Sequence, residues 1–285
     1  MPFEDFERGD ILIKGSMHSL LWVGGEKPLV HNVDQGKFVG VIRATSLAGG
    51  EAVYRFADAA VAGRAAEFAA RWADVPGTDF VLPVPNPAKM VLKTPYSHRR
   101  MEEALRVQDQ ETPWTVESLF RALKAIARSR DGAGLSPNHG VSCSQFVTFC
   151  FQAAALVQLL GNVVPAQLLS QIRREAEVPS GQTLSRWVEN DYGKSPEQFW
   201  KAKAFGGQNK VFKSFKTDGE FLSSALSGHV QRTRDVLPGA MRVDAKRTTV
   251  EKLLAGVTAR DSGFQLRGIA VAGAPGSSIP YRIQS

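Results

Sequence analysis

The sequence predicts an α+β chain: an antiparallel sheet near the N-terminus, a buried helix near the middle and a mainly helical C-terminal extension. Three observations carry this. Short apolar runs parted by Gly/Pro turns fill the first 45 residues. The stretch Asn138 to Leu160 passes from a small, flexible lead-in into an apolar run without proline or glycine until Gly161. The formal charge of +7 lies wholly beyond residue 160, where 18 Lys/Arg face 11 Asp/Glu, whereas residues 1–160 hold 17 of each. That asymmetry suggests two functional regions, 1–160 as a core and 161–285 as a basic extension, with a boundary near Gly161.

The strands come first. Gly9-Asp10-Ile11-Leu12-Ile13 is a short strand signal, and His18 to Val23 is a second. After the turn Gly24-Gly25-Glu26-Lys27-Pro28 comes Leu29-Val30-His31, so the second and third runs make a β-hairpin. If residues paired across it sum to 49 or 51, His18 and His31 share a face; a one-residue slip parts them. Taken singly, each histidine reads as a satisfied, half-buried residue. As a pair they could serve as a base and its orienting partner.

The middle helix follows. Asn138-His139-Gly140-Val141-Ser142-Cys143-Ser144-Gln145-Phe146-Val147 reads as a loop delivering Cys143 to the first turn of a buried helix. Unpaired N–H groups and the positive end of the helix dipole favour an anion there, and thiols so placed can have lowered pKa values. Cys143 is therefore either a nucleophile or one more small buried hydrophobe. Cys150, mid-helix among apolar neighbours, fits the second description.

Taken in order, Gly-Asp-Ile-Leu-Ile, a strand of the form His-x-x-x-Trp-Val-Gly-Gly from His18, a second histidine thirteen residues on, and Cys-Ser-Gln-Phe-Val opening a helix form a pattern. It resembles the circularly permuted branch of the NlpC/P60 papain-like superfamily, which includes lecithin:retinol acyltransferase-like proteins and bacterial relatives. The resemblance covers three short islands between residues 9 and 150. It implies a papain-like core with Cys143 as nucleophile, His18 as general base and His31 as the polar residue orienting it. Asn32 and Asp34 on the same strand compete for the third role. His139, four residues before Cys143, is a rival base, and its short local separation makes it a poor partner. His98, beside Arg99 and Arg100, reads as a solvated or substrate-rim residue. Two departures stand out: Cys143 lies 112 positions after His31, and Gln145 occupies a position where the peptidases usually carry glycine.

Between hairpin and cysteine, Lys37 to Ala44 reads as a strand. Phe56 to Trp72 reads as a helix whose stripe is Phe56, Ala60, Gly63, Phe68 and Trp72. Pro76 to Pro95 is a proline-rich connector. Tyr96 to Arg106 and Thr115 to Arg130 read as helices, the second with a Thr115/Ser118 cap. Beyond Gly161, helices are expected over Pro165–Glu177, Thr183–Asn190, Pro196–Ala204, Gly219–Ser227 and Thr249–Ala259, a short strand over Leu266–Ala272, and a turn or loose tail over Gly273–Ser278. Trp200 to Lys216 carries five lysines, four aromatics and no acids. A solvated helix pair is the preferred reading of it; an anionic membrane or partner surface is the alternative, without a firm nucleic-acid signal.

Two cysteines exclude a disulfide scaffold and suggest folding in a reducing cytosol. The acidic N-terminus gives no secretory signal, and no run reaches a membrane span of about 18 residues. An effector or toxin exported without a signal peptide is one setting, although the chain contains no export address. There is no phosphate-loop pattern and no zinc-ligand spacing, so no cofactor or metal is expected. The expected activity is that of a thiol hydrolase forming a Cys–His acyl-enzyme on an amide bond: a peptide, isopeptide, glutamine amide or peptidoglycan stem peptide. Acyl transfer or lipid/thioester cleavage by the same fold is the alternative, and a non-catalytic module using its basic half is a third.

Overall fold

The computed structural model describes residues 3–35, 38–75, 96–130, 140–160, 230–273 and 281–285. The expected connector 76–95, His139, the basic–aromatic stretch Trp200–Lys216 and the four helices placed between 165 and 227 lie outside these residues.

An α+β architecture forms around one antiparallel sheet. Its strands are β1 (Phe3–Glu4), β2 (Ile11–Lys14), β3 (His18–Trp22), β4 (Leu29–Gln35), β5 (Phe38–Ala44), β6 (Ala52–Phe56), β7 (Phe264–Ala272) and β8 (Tyr281–Gln284). Their order across the sheet is β1-β8-β7-β6-β2-β3-β4-β5. The helices are α1 (Ala59–Ala73), α2 (His98–Leu105), α3 (Val116–Arg130), α4 (Cys143–Leu160) and α5 (Val250–Thr258).

The period-2 alternation of each strand sorts its side chains between two apolar clusters. Ile11, Ile13, Leu21, Val23, Val30, Val41 and Tyr54 belong to the main core with the helices. Leu12, Leu20, Leu29, Val53, Ala270 and Ile283 form a smaller cluster, with Phe6 and Trp22 packed against it. The β3–β4 register is Leu21↔Val30 and Trp22↔Leu29. Paired numbers thus sum to 51, one of the two registers that bring His18 and His31 to one face. Gly9 opens β2 at φ 95°, and a Cβ there would lie 2.4 Å from the Ala62 carbonyl oxygen of α1. Only glycine allows that approach.

Asp58 starts α1, accepting from the N–H groups of Ala60 at 2.9 Å and Val61 at 3.1 Å. The buried stripe therefore runs through Val61, Ala65, Phe68 and Trp72. Phe68 and Trp72 lie where the sequence puts them. Phe56 ends β6 instead, and Ala60 and Gly63 fall off the buried face because the cap sets the helix phase. Its alanines let α1 lie close along α4, whose Phe146, Phe149 and Phe151 are fully buried. Full burial of each such ring is worth about 1.5–3 kcal/mol.

The chain beyond residue 230 is woven into this same body. β7 pairs with β6 along Ala52↔Ile269 to Phe56↔Phe264, and β8 pairs with β1 through Phe3↔Gln284. Gln152, fully buried in α4, donates to the carbonyls of Met241 at 2.9 Å and Val243 at 2.8 Å. Arg121 of α3 pairs with Asp244 in the interior. The boundary expected near Gly161 does not part the described residues into two bodies. The helix expected at Thr249–Ala259 is α5, and the strand at Leu266–Ala272 is β7 begun two residues earlier. No helix among the described residues is long and apolar enough to cross a membrane.

Candidate active site

The start of α4 is fixed from several directions. Val141 bridges in parallel to Tyr96, and its carbonyl accepts from Ser97 N–H at 3.2 Å and from Asn32 Nδ2 at 2.7 Å. Ser142 opens the helix: its carbonyl accepts from Phe146 N–H, and its own N–H donates to Gln145 Oε1 at 3.0 Å. That reach-back is one half of a capping box. The Gln145 amide also donates to Lys246 O at 2.6 Å and Arg100 O at 3.2 Å, tying α4 to α2 and to the segment before α5. Gln145 is thus a structural clip, which accounts for a long amide side chain at this position. Ser144 Oγ donates to Thr248 O at 2.8 Å.

Cys143 therefore has little freedom. Its side chain is buried, with 4% exposure, yet it lines a cleft of about 90 Å³. The walls come from Ser16 and Met17 of the β2–β3 turn, Tyr96, Met101 and Leu105 of α2, and residues 248–251 at the start of α5. Burial pushes the thiol up from its ordinary value. Working against burial are the N–H and hydroxyl of Ser19 and the N–H groups of Ser144 and of Cys143 itself, all of which favour the sulfur anion. Cys150 has only burial around it apart from its own N–H, and its thiol is pushed well up.

His18 and His31 come together. His18 Nε2 and His31 Nδ1 are 2.7 Å apart, with the rings edge-on at 65°. Burial lowers His18 to about 4; burial, then the His18 charge, lowers His31 to about 3. Both are neutral at pH 7, so one nitrogen of the close pair donates and the other accepts. With the proton on His18 Nε2, His18 Nδ1 keeps its lone pair and can act as a base.

The relation of this pair to the thiol is set by β3. On β3 Ser19 lies opposite Ile13 of the main core, on the helix-facing side, and His18 is the residue before it. Alternation directs the His18 Cβ to the face of Leu20 and Trp22. Among the described residues, no hydrogen bond joins the sulfur to either ring. Of the contenders for the third role, His31 is the one bonded to His18, while Asn32 is engaged at Val141 O. The Asp34 side chain and His139 lie outside the described residues. His98 is exposed at the start of α2, its ring edge-on to Tyr96. Among the described residues, no group of three or more His, Cys, Asp or Glu could hold a metal ion.

Sequence reasoning passed over two parts of this site. Ser19 gives no motif of its own, since a serine in a strand is unremarked without knowing what faces it. The Ser142-x-x-Gln145 capping box was legible. No family model, no curated protein and no solved structure matches the chain.

Proposed function

We propose that the protein is a thiol hydrolase of papain-like type, with Cys143 as nucleophile, His18 as general base and His31 as its orienting partner. The observation that carries this is the setting of Cys143. It sits at the first turn of a buried helix and lines a cleft. His18 Nδ1 would take the thiol proton as sulfur attacks an amide carbonyl. The tetrahedral oxyanion would receive the Cys143 N–H, and collapse would expel the amine with the proton from His18. Water activated by the same imidazole would then release the acid. The reading requires the imidazole to reach the sulfur, a hydrogen bond that the resting site lacks. The His18 Cβ lies on the face of Leu20 and Trp22, away from the helix-facing side that holds the thiol, so the reading requires the ring to turn around the end of β3 to meet the sulfur.

Acyl transfer or lipid ester cleavage stands as the second reading, because the cleft is flanked by Met17, 72% exposed, and Leu105, 48% exposed. Both activities begin with the same thioester on Cys143. A binding module with an inert core is the third, favoured by the buried, raised thiol.

The three separate by mass. Wild-type protein is incubated in turn with a peptide, a glutamine amide, a peptidoglycan stem peptide, a thioester and a phospholipid, and acid-quenched during turnover. The adduct on Cys143 names the class. No adduct and no product from any of them sinks both enzymatic readings.

A further inference from the structure

The walls of the cleft at Cys143 share one chemical character. α2 presents Met101, Ala104 and Leu105 to it, residues spaced so that they lie on one helix face, and the β2–β3 turn adds Met17. Met17 and Leu105 are two of the five large hydrophobic side chains exposed among the described residues. Apolar side chains grouped at the mouth of a pocket are where a ligand buries its own apolar surface. Most polar side chains of the walls are already turned to protein partners. Ser144 gives its hydroxyl proton to Thr248 O, so Ser142 Oγ, 3.3 Å from Ser144 Oγ, is the donor of that pair. Thr248 Oγ1 donates to Asp244 O and the Tyr96 hydroxyl to Met101 Sδ, while Thr249 Oγ1 accepts from Lys252 N–H as the cap of α5.

Charge points the same way. Among the described residues lining the cleft there is no Lys, Arg or His, and Glu251 is the single carboxylate. Cations of the two flanking helices are engaged elsewhere: Arg99 and Arg100 pair with Glu103, and Lys252 Nζ donates to the carbonyls of Val107 and Gln110. We propose that the cleft selects an uncharged, aliphatic side chain beside the carbonyl that Cys143 attacks, and turns away one that carries a carboxylate. The proposal rests on Cys143 as nucleophile, and deepens that reading by naming the acyl group it accepts. A carboxylate entering here would shed water without gaining a cation, and would meet Glu251. An aliphatic side chain would cover Met17 and Leu105 and leave no polar group stranded. At about 90 Å³ the cleft lies well below the roughly 300–1,000 Å³ of pockets for drug-sized ligands, so it suits one side chain rather than a long acyl chain.

The test labels Cys143 in the full-length protein with the chloromethyl ketones of N-acetyl-leucine, N-acetyl-glutamine and N-acetyl-glutamate, read by peptide mass. Sulfur displaces chloride, and each reagent carries its side chain on the acyl side. Each rate is divided by that of the same reagent with N-acetylcysteine, which removes intrinsic reactivity, and the thiolate fraction of Cys143 is common to all three. The leucine reagent should label about tenfold faster than the glutamine one, and the glutamate one about tenfold slower again. Met17→Gln and Leu105→Gln together should erase the leucine preference. Glu251→Gln should speed the glutamate reagent about threefold and leave the other two unchanged. Should the double variant melt early, Leu105→Gln alone decides by the same ratio. Equal normalised rates in wild type overturn the proposal, as do a preference for glutamate, a leucine preference that survives the exchange, and a Cys143 that none of the reagents labels. Displacement of chloride needs no acyl-enzyme. Selective labelling of a protein that forms no acyl-enzyme on any substrate would leave the preference of the cleft standing and remove the hydrolase reading. Unselective labelling beside a trapped acyl-enzyme would do the reverse.

Discussion

His18 Nε2 and His31 Nδ1 lie 2.7 Å apart on adjacent strands, two half-buried imidazoles sharing one proton. Because both are neutral at pH 7, the bond has a direction, and only the arrangement with the proton on His18 leaves His18 able to accept another. Asparagine at position 31 can accept the same proton through its amide oxygen, and alanine cannot. His31→Asn should keep activity within about tenfold of wild type, and His31→Ala should lose about 100-fold or more. Steady-state rates on the substrate found by trapping decide it. A fully active His31→Ala beside an inactive Asp34→Ala would transfer the role to Asp34.

The same pair makes stability depend on pH. The folded values, about 4 and about 3, lie below the ordinary histidine value, 6.5. Between those limits the unfolded chain binds protons that the folded chain excludes, so stability rises with pH in that window. It should be fully present above about pH 6.5 and fall on acidification toward pH 4, by on the order of 3 kcal/mol per histidine. Urea midpoints at pH 7.5, 6 and 5 measure the slope. Replacing both histidines by asparagine should flatten it, and an unchanged slope would mean that the pair titrates normally.

Gln145 makes three bonds, two of them buried, that no shorter side chain could replace. Gln145→Ala would strand the Ser142 N–H and two carbonyls at the mouth of α4. A loss of about 2–4 kcal/mol in chemical denaturation is expected, at about 1–3 kcal/mol per unsatisfied buried group with partial relaxation. A change below about 0.5 kcal/mol would show that the clip is dispensable.

Residues 230–285 complete the sheet that residues 1–160 begin. A chain ending at Leu160 would leave β6 without β7, β1 without β8, and Arg121 buried without Asp244. Losing one partner of a buried ion pair costs about 3–5 kcal/mol by itself. The 1–160 fragment should be insoluble or lack a cooperative thermal transition. A fragment that melts cooperatively would restore the two-domain division.

Much of the N-terminal half was legible because its signals are local. The hairpin runs of β3 and β4, the strand β5 and the loop-to-helix passage at Cys143 each announce themselves within a dozen residues. The β3–β4 register was narrowed to two same-face solutions, and the Leu21↔Val30 pairing selects one. The phase of α1 was missed because Asp58, rather than the apolar pattern, sets where the helix begins. β1 and β8, two and four residues long, are too short to show a period. The joining of Tyr54 to Leu266 was hidden for a different reason: strand pairing across such a separation leaves no mark in local composition, whereas the charge asymmetry at Gly161 does. Charge describes the surface, and the sheet is decided in the core.

The most direct test of Cys143 as an activated nucleophile is acetylation by p-nitrophenyl acetate, followed by release of p-nitrophenol and by peptide mass. Wild-type protein should release a burst of about one equivalent and carry one acetyl group on the Cys143 peptide, the signature of an acyl-enzyme. The burst should vanish in Cys143→Ala with the fold intact, and slow by about 100-fold or more in His18→Ala. A double variant should be no worse than Cys143→Ala alone, because the two residues act as one unit. Acetyl found on lysines and on neither cysteine, with no burst and no effect of His18→Ala, would contradict the account.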